Sequence, residues 1–141
     1  MKKKVLFVCI HNSARSQIAE ALLQKYGKDQ FEVLSAGFEP QEINPYTLRV
    51  MQEAGVDMSG QRAKSLNEYI GKLHFGYLIT VCSNAEEKCP IFPGMGMRLH
   101  WPFEDPAAFE GTDEARLEKF RQVRDQIEAK VSAWLEEVSA Q

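Results

Sequence analysis

The sequence predicts an α/β fold, one three-layer domain over residues 1–141 with a four-stranded parallel open sheet and helices on both faces. Three observations lead there. Apolar runs rich in β-branched and aromatic residues, at 5–8, 31–37, 75–81 and 97–101, alternate with stretches of helical periodicity, the pattern of strand-helix-strand units joined by right-handed crossovers. The runs at 5–8 and 75–81 are apolar at almost every position, as strands covered on both faces are. A chain of 141 residues with 44% apolar and 26% charged side chains, and no Pro-, Gly- or Ser-rich tract, suits a single ordinary core without a linker.

In chain order, Lys2, Lys3 and Lys4 precede only six apolar residues before His11, too few for a signal sequence or a membrane span. A cytoplasmic protein without a membrane partner is expected. The net charge of −3 argues against nucleic acid as a partner, which calls for clustered excess Lys and Arg. After the first strand a polar loop leads into a helix that Ser16 can cap, with Ile18, Leu22, Leu23 and Tyr26 at helical spacing and Gly27 as terminator. Residues 31–37 form the second strand. Asn44-Pro45 reads as cap and first helical position of a short helix carrying Leu48, Met51 and Ala54 before Gly55. Residues 56–64 are loop, 65–70 can form a further helix, and 75–81 is a central strand ending at Cys82. Residues 83–88 could form a helical turn, while Pro90, Pro93, Gly94 and Gly96 keep the following stretch irregular. From Thr112 or Asp113 onward Leu117, Phe120, Val123, Ile127, Val131, Trp134, Leu135 and Val138 recur at steps of three and four, which marks a long amphipathic helix whose aromatics are core contacts.

Chemistry concentrates at the carboxyl ends of these strands, where open parallel sheets bind ligands. Cys9 ends the first strand, and five residues separate it from Arg15. A loop of that length can curl round a tetrahedral oxyanion. The amides of Ile10, His11, Asn12, Ser13, Ala14, Arg15 and Ser16 and the arginine fork would take the oxygens while the Cys9 thiolate faces the central atom. A helix N-terminus and a guanidinium favour the ionised thiol, and Ser16 can donate to it. Asn12 suits a left-handed position in the loop. His11 reads as an exposed loop residue, since an ionised cysteine needs no base. Asp105-Pro106 is first a turn signal, and its carboxyl is also the candidate general acid for the leaving oxygen, with Glu104 as alternative.

Cys82 and Cys89 discriminate between chemistries. A phosphatase has no task for them, whereas three thiols at one sheet edge permit a relay of thiolate attacks ending in a disulfide. Zinc is disfavoured, because the thiols are scattered, no Cys-x2-Cys pair exists and no histidine adjoins Cys82 or Cys89.

Over nearly its whole length the chain resembles the thioredoxin-coupled arsenate reductases, a family built on the low-molecular-weight protein tyrosine phosphatase fold. The resemblance rests on Cys9-Ile10-His11-Asn12-Ser13-Ala14-Arg15-Ser16-Gln17-Ile18-Ala19-Glu20, Ser35-Ala36-Gly37, Asn44-Pro45, Val81-Cys82-Ser83, Cys89-Pro90, and Trp101 with Asp105-Pro106. Gln17 stands where phosphatases of this fold usually carry proline. The resemblance implies that Cys9 attacks arsenate while Asp105 protonates the departing oxygen. Cys82 then attacks Cys9 with release of arsenite, and Cys89 attacks Cys82. The resulting disulfide between Cys82 and Cys89 is implied to loop out for reduction by thioredoxin or an equivalent dithiol protein, with no tightly bound cofactor and the chain acting as a monomer. Members with potassium use an asparagine, a glutamate, a serine and an acid. Asn12, Glu20 and Ser35 match, but the fourth position reads Ser65 beside Lys64, so the Lys64 ammonium is expected to take the cation's place near Glu20. The position before Arg15, often cysteine in relatives, is Ala14.

Two other functions fit parts of the same set. A phosphatase acting on phosphotyrosine or small phosphomonoesters would need only Cys9, Arg15 and Asp105, and weak turnover of that kind is expected even from a reductase. A non-catalytic oxyanion-binding or redox-sensing module would need neither an acid nor three thiols.

Overall fold

The computed structural model describes residues 2–69, 72, 74–81 and 95–139. Its strands are β1 (Lys3–Cys9), β2 (Phe31–Gly37), β3 (Phe75–Thr80) and β4 (Met95–His100), and its α-helices among these residues are α1 (Arg15–Gly27), α2 (Pro45–Glu53) and α3 (Asp113–Ser139). One sheet holds the strands in the order β2-β1-β3-β4, each neighbouring pair parallel. The expected architecture is therefore present. Val5, Leu6, Phe7 and Val8 are all inaccessible although successive side chains point to opposite faces, so both faces of β1 are covered and its unbroken apolar run has a cause. From β1 the chain passes to β2 on one side, and β3 lies on the other. The strand order thus reverses at the carboxyl end of β1, where such sheets open a crevice. Cys9 is the last residue of that strand.

The periodic apolar residues of α3 are buried as the spacing predicts, from Leu117 through Trp134, and α3 packs on α1 and α2. Trp134 lies 5.1 Å from Phe31, 5.0 Å from Tyr77 and 5.7 Å from Trp101 between ring centroids, and Trp101 lies 5.8 Å from Phe7. These contacts cross β2, β1 and β3 and extend to the residue after β4. The aromatics of α3 are core, as expected.

Several local expectations need correction. Ser16 does not cap α1; the cap is Ala14, without a side-chain hydrogen bond, and Ser16 lies one residue inside, where a buried amide claims its hydroxyl. Gly27 does not terminate α1 in a left-handed turn. It is the last helical residue, and a Cβ there would stand 3.0 Å from Leu135 Cδ2, so its small size serves the α1-α3 contact. Tyr26 is exposed rather than core, because its hydroxyl reaches across to donate to Glu128 at 2.9 Å. Leu48 is likewise exposed, while Thr47 beside it is buried and donates to the Ser13 carbonyl at 3.2 Å. In place of a helix over 65–70 there is one 3-10 turn, Leu66–Glu68, closed by a Ser65/Glu68 capping box; Ile70 lies outside the described residues. The Asn44 cap and Pro45 start of α2 are as read, and Gly55 has φ +74°. Cys82, Cys89, the polar segment between them, Pro90, Pro93 and Gly94 also lie outside the described residues.

Candidate active site

The loop between β1 and α1 is shaped by what its carbonyls do. Glu39 N donates to the Ile10 carbonyl at 2.8 Å, Gln41 N to His11 at 2.9 Å, and Asn44 N to Ser13 at 3.0 Å, while Gln17 Nε2 donates to the Asn12 carbonyl at 3.0 Å. Four successive carbonyls are engaged by groups beyond the loop itself. In a trans peptide the next N–H points opposite to the carbonyl, so the amides of His11, Asn12, Ser13 and Ala14 point away from these partners. Beside the loop is a cavity of about 310 Å³ lined by Cys9, residues 11–15, residues 41–45, Asp105 and Ala107. The N-terminus of α1, with no side chain capping it, adds its positive end to the same space.

Asn12 is the pivot of the loop. It takes φ +54°, the left-handed conformation expected for it, and it is fully buried. Its Nδ2 donates to Ser16 Oγ at 2.8 Å and to Ser35 Oγ at 2.9 Å, and its Oδ1 accepts from Lys64 N at 2.8 Å and Gln17 Nε2 at 2.9 Å. Both donors and both acceptor positions of the amide are used. Gln17 is itself inaccessible; its Nε2 also donates to the Arg62 carbonyl at 2.9 Å, and its Oε1 accepts from Gln61 Nε2 at 2.6 Å. A proline at this position could form none of these bonds, which gives the Gln17 signature a physical content. Below the loop sits Gly37, where a Cβ would come within 2.7 Å of the Ile10 carbonyl oxygen and 2.9 Å of Asn12 N. The Ser35-Ala36-Gly37 motif thus supplies one hydrogen-bond partner and one close approach.

Cys9 is 4% exposed and lines the cavity. Arg15 Nη1 donates to the Phe103 carbonyl at 3.1 Å and Nη2 lies 3.6 Å from Asp105 Oδ2. The turn reading of Asp105 holds, since Oδ1 accepts from Ala107 N at 3.0 Å and caps the 3-10 turn Pro106–Ala108, and the residue also lines the cavity. Glu104, the alternative acid, is instead paired with Lys119 of α3. His11 lines the cavity and is part-buried rather than exposed, a correction to its reading as an exposed residue; the neighbouring segment at 39–44 folds over the loop.

Of the set expected for potassium, Asn12, Glu20 and Ser35 are buried together, and Ser35 Oγ donates to Glu20 Oε1. Lys64 Nζ stands among them, donating to Glu20 Oε1 at 3.2 Å, to Ser35 Oγ at 3.4 Å and to the Arg62 carbonyl at 3.0 Å. Glu20 Oε1 and Ser35 Oγ are engaged by an ammonium and Asn12 Oδ1 by Lys64 N and Gln17 Nε2, so the residues present do not fit potassium. Arg62 itself pairs with Glu68, Nη2 to Oε1 at 2.6 Å, a bond that holds the Glu68 carboxyl below its ordinary value. Sequence reasoning missed the contributions of Glu39, Gln41, Thr47 and Gln61. The backbone donors carry no residue signature, since any residue but proline supplies an N–H.

A sequence model described as low molecular weight phosphotyrosine protein phosphatase matches residues 4–141. An arsenate reductase of Halalkalibacterium halodurans is 40% identical over 136 residues, covering 96% of both chains. A solved structure of an arsenate reductase in the phosphate-binding state superposes with a TM-score of 0.77 at 30% identity, over 97% of this chain and 98% of that one. A thioredoxin-dependent arsenate reductase of Corynebacterium glutamicum superposes with a TM-score of 0.61 at 32% identity, over 94% of this chain and 63% of the other.

Proposed function

The chain belongs to the low molecular weight phosphotyrosine protein phosphatase family, and within it we propose that it is an arsenate reductase working as one domain through Cys9, Cys82 and Cys89. The carrying observation is a cysteine lining a cavity with the loop of residues 11–14, whose four preceding carbonyls are engaged elsewhere, and with the N-terminus of α1, which no side chain caps. Such a site takes a tetrahedral oxyanion, and the relatives named for arsenate reduction select the substrate.

In the first step Cys9 Sγ bonds to arsenic, an arsenic–oxygen bond breaks, and the oxygen leaves as water with the proton of Asp105. Arg15 exchanges its contact with the Phe103 carbonyl for the oxyanion. Ser16, whose oxygen accepts from Asn12, has its O–H to give to the thiolate. Cys82 then attacks Cys9 Sγ; the sulfur–sulfur bond forms, and the sulfur–arsenic pair stays on arsenic as arsenite. Attack of Cys89 on Cys82 returns Cys9 to the thiolate and leaves a disulfide between Cys82 and Cys89. A dithiol protein, thioredoxin in the C. glutamicum relative's case, supplies the two electrons that reopen it. No helix among the described residues is long and apolar enough to cross a membrane, and we place the reaction in the reducing cytoplasm.

The test is arsenate-dependent oxidation of a reduced thioredoxin system by the purified chain. Steady consumption of reductant supports the reading, and hydrolysis of a phosphomonoester with no response to arsenate would return the chain to phosphatase work. In the same assay Asp105→Asn is expected to lower kcat by about 100-fold, the scale of a lost general acid. Inorganic phosphate should bind as well or better, since a carboxylate is removed from beside an anion. An unimpaired kcat would place the acid elsewhere.

A further inference from the structure

Lys64 is 6% exposed, a burial at which a lysine needs a reason. Its ammonium has three oxygen partners, on Glu20, Ser35 and Arg62. The carboxylate of Glu20 receives Lys64 Nζ and the Ser35 hydroxyl on Oε1, and Gln24 Nε2 on Oε2 at 3.4 Å. The nearby Arg62 guanidinium is spent on Glu68. The buried ledger is therefore one cation against one carboxylate.

This pair reaches the oxyanion loop by two routes that meet on one side chain. Because the Ser35 O–H is given to Glu20, the Ser35 oxygen faces Asn12 as an acceptor, and Asn12 Nδ2 donates to it. At the other end of the same amide, the backbone N–H of Lys64 donates to Asn12 Oδ1. Lys64 thus fixes which way the Asn12 amide lies, with its main chain at the oxygen and its side chain, through Glu20 and Ser35, at the nitrogen. Asn12 is the residue at which the loop takes its left-handed turn, with φ +54°.

We infer that Lys64 is a built-in counter-cation of the oxyanion loop, a positioning residue that makes the loop indifferent to monovalent cations in solution. A potassium ion added beside the ammonium would set two buried positive charges on a single carboxylate, an arrangement that desolvation penalises heavily. Cation and lysine exclude one another. The inference rests on the oxyanion-binding part of the proposed function and not on arsenate reduction. A chain that binds phosphate but never reduces arsenate would sink the reductase reading and leave this one standing.

The experiment is calorimetric titration of the full chain with inorganic phosphate, in potassium, ammonium or tetramethylammonium chloride at equal ionic strength, with wild type and Lys64→Ala. Wild type is expected to bind phosphate with a Kd that varies by less than about twofold among the salts. Lys64→Ala, checked for folding by circular dichroism, is expected to bind about tenfold more weakly in tetramethylammonium, the scale of one lost charge-assisted contact. Potassium or ammonium, small enough to enter the space left by the side chain, should restore most of that affinity. A merely structural lysine would give a loss that no salt repairs. Such an unrepaired loss, or an unchanged Kd in tetramethylammonium, overturns the inference. So does a wild-type Kd that tightens by more than about fivefold in potassium, a result that decides the matter even if the variant does not fold.

Discussion

Cys9→Ser is expected to abolish arsenate reduction and phosphomonoester hydrolysis together, with kcat lower by about 10⁴-fold or more, because the hydroxyl that replaces the thiol is not ionised at neutral pH and is a far weaker nucleophile than a thiolate. Phosphate binding should change by no more than a few-fold. The proposed oxyanion site takes its donors from the backbone amides of a loop whose carbonyls are held by Glu39, Gln41, Asn44 and Gln17 and from Arg15, and serine matches cysteine closely in size. The pair of measurements separates attack from binding. Turnover within tenfold of wild type would mean that another group is the nucleophile, and a variant that lost phosphate as well would mean that the thiolate shapes the loop.

Cys82→Ser and Cys89→Ser are expected to divide the two activities that Cys9 joins. Either change should reduce thioredoxin-coupled turnover to background, a loss of about 10³-fold or more, because the chain can then no longer close the disulfide that a dithiol protein reopens. Hydrolysis of a phosphomonoester should persist, since Cys9, Arg15 and Asp105 suffice for it. With Cys82→Ser the chain should stall with arsenic still on Cys9, and with Cys89→Ser it should stall as a disulfide between Cys9 and Cys82. Reductase turnover that survived both changes would dismiss the relay and leave direct attack by an external thiol on the Cys9 adduct.

Much of this site could be read along the chain because its parts are local. The β1 run, the C-x5-R spacing and the helix behind it are contiguous, and Asn12 carried its left-handed turn in its residue type. The steps of three and four from Leu117 to Trp134 were equally plain, since a long helix repeats its signal many times. What escaped reading depends on distant partners. Ser16 looked like a cap because serine commonly is one; only the fold brings Asn12 Nδ2 to its hydroxyl and leaves Ala14 as the true cap. Tyr26 followed helical spacing, yet a hydroxyl 2.9 Å from Glu128 drew it to the surface of α3. The outward grip on the loop carbonyls comes from main-chain N–H groups near residue 40, which leave no mark in side-chain chemistry. Gln17 was legible as a departure from the phosphatase pattern, but its reason, a four-way bond to Asn12, Gln61 and Arg62, needed the distant segment at 61–62 in place.

In the proposed reaction three cysteines pass two electrons to one oxyanion. It is tested most directly by treating the reduced chain with arsenate in the absence of any external reductant, alkylating the thiols that are left, and locating the modified cysteines by mass spectrometry. The expected result is a disulfide between Cys82 and Cys89, alkylated Cys9, and one arsenite released per chain. Three alkylated cysteines after arsenate exposure would contradict it.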